Sequence, residues 1–295
     1  MRGRGIDFEH RFNTSRWAEG MHIQSLNQKR VLIAARYGIS TVVPEGEDLV
    51  YGQSEFKEPD LLVFRSERLS EREREILGEG ALSWNDRLAL DTDGQLPELL
   101  NKAFVALEVE FSPYKAGEMK DRHWQPRSES RWLERPLKNA VAPTAPNIWV
   151  KAEDLDKLVA WQKKFNVPII VAHLFDQEAF AVALSRVEAF RRDYQADPKG
   201  RVRLQVTTGI FAKDQRYDRV DASGASEVKP VFIITPAVAT KIGNIRGVKV
   251  SAQLGVSASM KYVSHVIFSG GEVEIADDFV DFLLGLENNG ARSLR

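Results

Sequence analysis

The sequence predicts an α/β fold: one domain over residues 1–295, with a core at about 15–195 and a β-rich C-terminal extension at about 196–295. Three observations predict it. Residues 167–175 form a nearly unbroken apolar run, as in a strand covered on both faces at a sheet centre. Residues 152–165, just before it, place Leu155, Leu158, Val159 and Trp161 at helical spacing on one face. From Arg201 onward, strand-like segments replace helical ones.

In chain order, residues 15–37 read as a helix capped by Ser15, with Trp17, Met21, Leu26, Val31 and Ile33 toward a core and Glu19 on its first turns. Pro44 to Tyr51 reads as a loop, and residues 60–65 as the first strand. Ser70 and Glu73 stand at capping-box spacing and open a short charged helix. Asp93-Gly94 marks a turn. Residues 103–111 form a second strong strand, closed by Pro113. Residues 112–147 are interrupted by Pro113, Pro126, Pro136, Pro143 and Pro146, and irregular segments this long in compact proteins carry function or disorder. The helix at 152–165 stops at Asn166-Val167-Pro168; a strand at 179–184 and a helix at 185–194 follow. The extension holds strands at 201–207, 229–235, 247–254 and 261–268, then a short helix at 276–285. Within it, Lys213 to Arg219 reads as a polar turn and Ser269-Gly270-Gly271 as a hairpin turn.

Lys plus Arg number 41 against 42 Asp plus Glu, so any nucleic-acid contact must be local. The chain has no Cys, which excludes disulfides, thiolate zinc sites and cysteine nucleophiles. Five scattered His give no zinc-ligand spacing. His173, in the apolar run, reads as a hydrogen-bonded core residue, whereas His123 lies in the basic segment, where it could act as a base. No strand–Gly-rich loop–helix motif predicts a nucleotide cofactor. No apolar run approaches the roughly 20 residues that span a bilayer, and Met-Arg-Gly-Arg-Gly-Ile-Asp does not open a signal peptide. The expectation is a cytoplasmic protein with no membrane partner.

The acids carry the chemistry. Glu108 and Glu110, two apart in a strand, share a face. Asp60 follows Pro59 at the start of the other strand. Ionised carboxylates in segments this apolar need cations or hydrogen-bond donors nearby. Hard oxygen ligands of this kind suit Mg²⁺. The same alternation equally permits Glu108 and Glu110 to face solvent from an edge strand.

The segment after the second strand carries Lys115, Lys120, Arg122, Arg127, Arg131, Arg135 and Lys138, opposed by Glu118, Asp121, Glu129 and Glu134 and interleaved with Tyr114, Trp124 and Trp132. Such a segment can hold phosphates by charge, and arginine can read guanine bidentately; a solvated loop with its own ion pairs is the alternative. Lys213, Gln215 and Arg216 could likewise reach base edges.

Pro59-Asp60, Glu108-Val109-Glu110, the helix at 152–165 and the strands at 167–175 and 179–184 together resemble type II restriction endonucleases of the PD-(D/E)XK superfamily, the AccI-like enzymes among them. Ser15-Arg16-Trp17-Ala18-Glu19 looks like the helix that in several of these enzymes places an extra glutamate near the metal. The resemblance covers about residues 15–190. It implies a restriction-endonuclease-like core, a central mixed β-sheet flanked by helices. It implies Asp60 and Glu108 as Mg²⁺ ligands, helped by the Val109 carbonyl, with Glu19 and Glu110 as further catalytic groups. Glu110 departs from the pattern, which usually has lysine there; Lys115 or Lys120 could supply the cation. The implied activity is sequence-specific cleavage of double-stranded DNA with Mg²⁺, leaving 5′-phosphate and 3′-hydroxyl ends. A homodimer is expected, because palindromic sites match two-fold proteins. The other readings are a DNA-repair or junction-resolving nuclease, a catalytically degenerate DNA-binding protein on the same core, and an unrelated hydrolase using paired acids.

Overall fold

A computed structural model describes residues 6–38, 57–78, 95–112, 148–193, 210–220, 226–234, 236–256 and 262–292. Its central element is a seven-stranded sheet in the order β1-β2-β3-β5-β6-β9-β12. The strands are β1 (Leu32–Arg36), β2 (Leu61–Arg65), β3 (Ala103–Phe111), β5 (Ile169–Leu174), β6 (Glu178–Ala183), β9 (Thr240–Arg246) and β12 (Glu272–Ile275). The sheet is mixed: β3 and β5 pair in parallel and every other neighbouring pair is antiparallel. A parallel pair needs a crossover, and helix α4 (Ala152–Phe165) supplies it.

Helices cover both faces. Helices α1 (Ile6–Gln28) and α6 (Asp277–Arg292) enclose one core, which holds Met21, Leu26, Leu107, Ile170, Phe279 and Leu283. Helices α2 (Glu71–Gly78), α3 (Gln95–Lys102), α4 and α5 (Leu184–Asp193) close the other, around Leu77, Leu99, Trp161, Val171 and Phe190. Strand β5 lies between them with all six residues buried: Ile169 and Val171 face one core, Ile170, Ala172 and Leu174 the other. The apolar run thus sits at the sheet centre, as expected. The expected bounds of β3 and α4 are also those found, and α4 buries the four predicted residues before ending at left-handed Asn166. The capping box at α2 forms, with Ser70 N donating to Glu73 Oε2 at 2.7 Å and Glu73 N to Ser70 Oγ at 3.3 Å.

Three expectations need correction. The N-terminal helix spans Ile6–Gln28, so Ser15 lies inside it. Residues expected in its second half turn back at Arg30, whose φ is 54°, and enter β1. The reason is a consecutive apolar run that fills both cores: Leu32 and Ala34 face one, Ile33 and Ala35 the other. Second, the polar stretch Lys213 to Arg219 is strand, not turn: it belongs to β7 (Ile210–Val220), laddered to β8 (Ser226–Ile234). Strand β4 (Ile148–Lys151) completes that three-stranded sheet on the other side of β8, so among the described residues β7 is an edge strand, where a charged, polar sequence is tolerated. Third, His173 is buried in the core, but neither ring nitrogen has a hydrogen-bond partner. The expected features at 44–51, 93–94, 112–147 and 201–207 lie outside the described residues, apart from Ser112.

The C-terminal strands form one long bent hairpin. Its base is β9 with β12 in the main sheet, and its far half is β10 (Lys249–Val256) with β11 (Tyr262–Ser269), paired only with each other. Each arm bends between the halves at left-handed glycines, Gly247 on one side and Gly270-Gly271 on the other, so Ser269-Gly270-Gly271 is a bend in a continuing hairpin and not the hairpin turn expected. Trp17 of α1 fastens the bend: its indole N–H donates to Gly270 O at 2.8 Å and its ring stacks on Phe268. No helix among the described residues is long and apolar enough to cross a membrane.

Candidate functional site

The β2–β3 ladder assembles the acids. It pairs Leu61 with Leu107, so one step further Asp60 stands opposite Glu108, with Glu110 two residues on along the same face of β3. Like charges opposite each other in a sheet repel. Two contacts offset this. Val109 N donates to Asp60 Oδ2 at 2.7 Å. The Lys57 ammonium donates to Glu108 Oε1 and lies 3.3 Å from Asp154 Oδ2 on the first turn of α4. Lys151, just before α4, stands 3.9 Å from the same Asp154 oxygen.

Gly38 holds the start of β2 in place. Tyr37 N and Gly38 N both donate to Asp60 O, at 2.8 and 3.3 Å. A Cβ on Gly38 would lie 2.9 Å from Pro59 O and 3.2 Å from Asp60 Cα, against backbone that cannot swing aside. Gly38→Ala is therefore expected to displace Asp60 and to cost about 1–3 kcal/mol of stability, read as a lowered midpoint in chemical denaturation.

Burial dominates the electrostatics. Glu108 is only 4% exposed, and burial pushes its carboxyl up to about 8, with Asp60 raising it and Lys57 opposing. Asp60 is raised to about 7 by burial and by the charges of Glu19 and Glu110, against Lys57 and the Val109 N–H. Glu110 is raised to about 7, again first by burial, with Lys57 and Lys151 opposing Glu108 and Asp154. Burial alone would lower the Lys57 pKa, but Glu108, Asp154, Asp60 and Glu110 together raise it, so the amine stays charged. Glu19 belongs to the same field through its effect on Asp60. Its own carboxylate is held by Arg36, whose Nε donates to Oε2 at 2.7 Å. Its pKa is raised by burial, with Arg36 and Arg16 opposing.

The structure therefore brings together Asp60, Glu108, Glu110 and, at the rim, Glu19, with the Val109 backbone between the first two. Glu108 is buried, so the alternative of a solvent-facing edge strand does not apply. Lys115, Lys120, Arg122, Arg127, Arg131, Arg135 and Lys138 lie outside the described residues. Lys213, Gln215 and Arg216 lie on β7, in another sheet. Sequence reasoning missed Lys57, Asp154 and Lys151. Lys57 stands three residues before Asp60, a signal open to a search upstream of the first acid as well as downstream of Glu110.

The donor set fits a hard divalent cation: all its side-chain ligands are carboxylate oxygens, and Glu108 Oε2 is buried without a hydrogen-bond partner. When ionised, Asp60, Glu108, Glu110 and Asp154 against Lys57 and Lys151 leave the charge of one such ion uncompensated. Among the described residues no three acidic or imidazole side chains are placed to hold an ion as they stand. The Lys57 ammonium pairs with two of the acids instead. Comparison of the chain with protein-family models, curated proteins and solved structures found no match.

Proposed function

We propose that the chain is a sequence-specific, Mg²⁺-dependent endodeoxyribonuclease that cleaves double-stranded DNA as a homodimer, on a restriction-endonuclease-like core. One observation carries the reading: Asp60 and Glu108 meet at the end of the β2–β3 ladder of a helix-flanked mixed sheet, with a lysine on Glu108 and the other oxygen of that carboxylate buried and unpartnered. The same strand places Glu110 beside them.

Asp60 and Glu108 would hold Mg²⁺, beside the Val109 backbone. Such an ion lowers the pKa of bound water and offsets charge on a phosphoryl oxygen. The chain's own groups supply the rest. Glu110, with a carboxyl at about 7, can accept a proton and release it near neutral pH. Lys57 provides the positive charge that Glu110, standing where the superfamily has lysine, cannot. Glu19, held by Arg36, adds to the field on Asp60.

The test is incubation of the purified chain with long phage DNA, with Mg²⁺ and with EDTA, resolved on a gel. Discrete Mg²⁺-dependent bands are expected. A smear would retain cleavage and remove sequence specificity. Intact DNA with a mobility shift would point to a DNA-binding protein on a degenerate core. DNA neither cut nor shifted, unmethylated or methylated, would end the nuclease reading.

A further inference from the structure

We propose that Lys57 is the resident counter-ion of the carboxylate site, that a divalent cation displaces it from Glu108 on binding, and that the freed ammonium then serves an anionic substrate. This rests on the divalent-cation reading above, not on the substrate being DNA. The observations are geometric. The Lys57 ammonium joins Glu108 of β3 to Asp154 of α4, acids on two separate elements. It occupies one oxygen of Glu108, while the other is buried without a partner. A bound Mg²⁺ contacts its oxygens at about 2.0–2.1 Å. An ammonium on the same carboxylate would then face a double positive charge at short range, in surroundings where charges interact strongly. The two repel across a single carboxylate, which favours departure of the one less firmly held.

Lys57 is built to be the one that leaves. It lies in the irregular segment just before β2, and its side chain is 31% exposed, so the stem is not enclosed by the core. Lysine is a compact charge on a flexible four-carbon stem, able to move several ångströms without any change of backbone. Glu108 and Asp154 sit on a central strand and on a helix that packs its buried face into the core. Without the metal, Lys57 compensates a buried carboxylate that would otherwise be costly to keep charged. With the metal, that need ends, and the amine is free at the edge of the site where a phosphate oxygen would arrive. Lys57 and the cation thus compete for one carboxylate, whereas a lysine that merely held β3 to α4 would not compete.

Two measurements on the full chain, both without DNA, test this. The first is Mn²⁺ titration of the EDTA-stripped protein by electron paramagnetic resonance, comparing wild type with Lys57→Met and Lys57→Arg. Lys57→Met is expected to bind Mn²⁺ about five- to tenfold more tightly, which is roughly 1 kcal/mol or slightly more. Lys57→Arg, which keeps the charge, is expected to stay close to wild type. Unchanged or weaker binding by Lys57→Met would overturn the proposal. The second needs no variant and covers the case in which Lys57→Met fails to fold. Acylation of Lys57 in the wild-type protein, followed by mass spectrometry, is expected to rise several-fold on adding Mg²⁺, relative to surface lysines. An unchanged rate in a protein that binds the ion would overturn displacement. Displacement in a protein that leaves DNA intact would keep this proposal and remove the nuclease reading.

Discussion

Glu108→Gln is expected to abolish Mg²⁺-dependent cleavage while leaving the protein folded. Two properties of Glu108 give that split. Its carboxylate is both the partner of Lys57 and the bearer of the unpartnered buried oxygen, so the amide takes away the carboxylate proposed to hold the ion. The loss of activity should exceed the roughly 10–100-fold typical of changes one shell out from a metal. The same carboxylate is buried beside Asp60, which makes its charge a burden to the folded state. A neutral amide of the same shape relieves that burden, and Lys57 keeps Asp154. The melting temperature should therefore hold or rise. Asp60 offers an internal control: Asp60→Asn keeps an acceptor for the Val109 N–H, whereas Asp60→Ala strands that donor and should cost about 1–3 kcal/mol. Both should lose cleavage, and only the alanine should lose stability. Cleavage rates and thermal melts on the four proteins decide this; wild-type rates in Glu108→Gln would remove Glu108 from the site.

His22→Leu and His173→Leu are expected to stabilise the protein, and more so as the pH falls. Both imidazoles are fully buried and no ring nitrogen has a hydrogen-bond partner. Burial depresses the pKa of His22 to about 4 and that of His173 to about 3. The sign follows from proton binding: below about 6.5 the unfolded chain takes up protons at both positions and the folded chain does not. The stability they permit is full above that pH and is lost as the pH falls toward 4 and then 3. The loss is on the order of 3 kcal/mol for His22 and on the order of 5 kcal/mol for His173. Asp60, Glu108 and Glu110, with raised pKa values, act in the opposite sense, because their protonation on acidification favours the fold. The comparison is therefore variant against parent at each pH. Each leucine should gain about 1–3 kcal/mol at neutral pH by removing unsatisfied polar atoms, with the gain widening between pH 6.5 and 4. A constant difference across that range would mean that the imidazoles find partners or water in the folded state.

The parts of this fold that were legible in the sequence are those where a local pattern has one solution. An apolar run as unbroken as 167–175 has nowhere to go but a sheet centre, and a helix with the spacing of Leu155, Leu158, Val159 and Trp161 must lie on that sheet. The pairing of Glu108 with Glu110 on one face needed only the two-residue period of a strand. Strand β1 was hidden because Ile33 extends the helical spacing of Trp17, Met21 and Leu26 while also filling a strand; Val31, expected toward a core, is 57% exposed just before that strand, and the break comes from left-handed Arg30, which carries no Gly or Pro signal. The bent hairpin was hidden because Gly247 reads as the start of a strand and Gly270-Gly271 as a turn, and only pairing between distant strands shows that they bend a continuing hairpin. Lys57 was hidden for a related reason: its partner Asp154 is nearly a hundred positions away, and no periodicity links them.

The fastening of Trp17 to Gly270 joins residues 253 positions apart, and it is not alone. Val273 N donates to Ser25 Oγ, and Lys29 pairs with Asp277. On a ribosome, α1 can pack on β1 and β3 soon after it is made, but the groups of β12 and α6 that Ser25 and Lys29 bind arrive 248 residues after them. A nascent chain must therefore hold α1 by β1 and β3 alone, with part of its surface uncovered, until those residues are made. Until β12 arrives, β9 also presents a bare edge to any neighbouring chain. Folding that waits on contacts this distant is slow, and its intermediates are prone to aggregate. Expression should therefore reward slow growth and low temperature, and chains stopped short of residue 272 should collect in inclusion bodies rather than as smaller folded proteins.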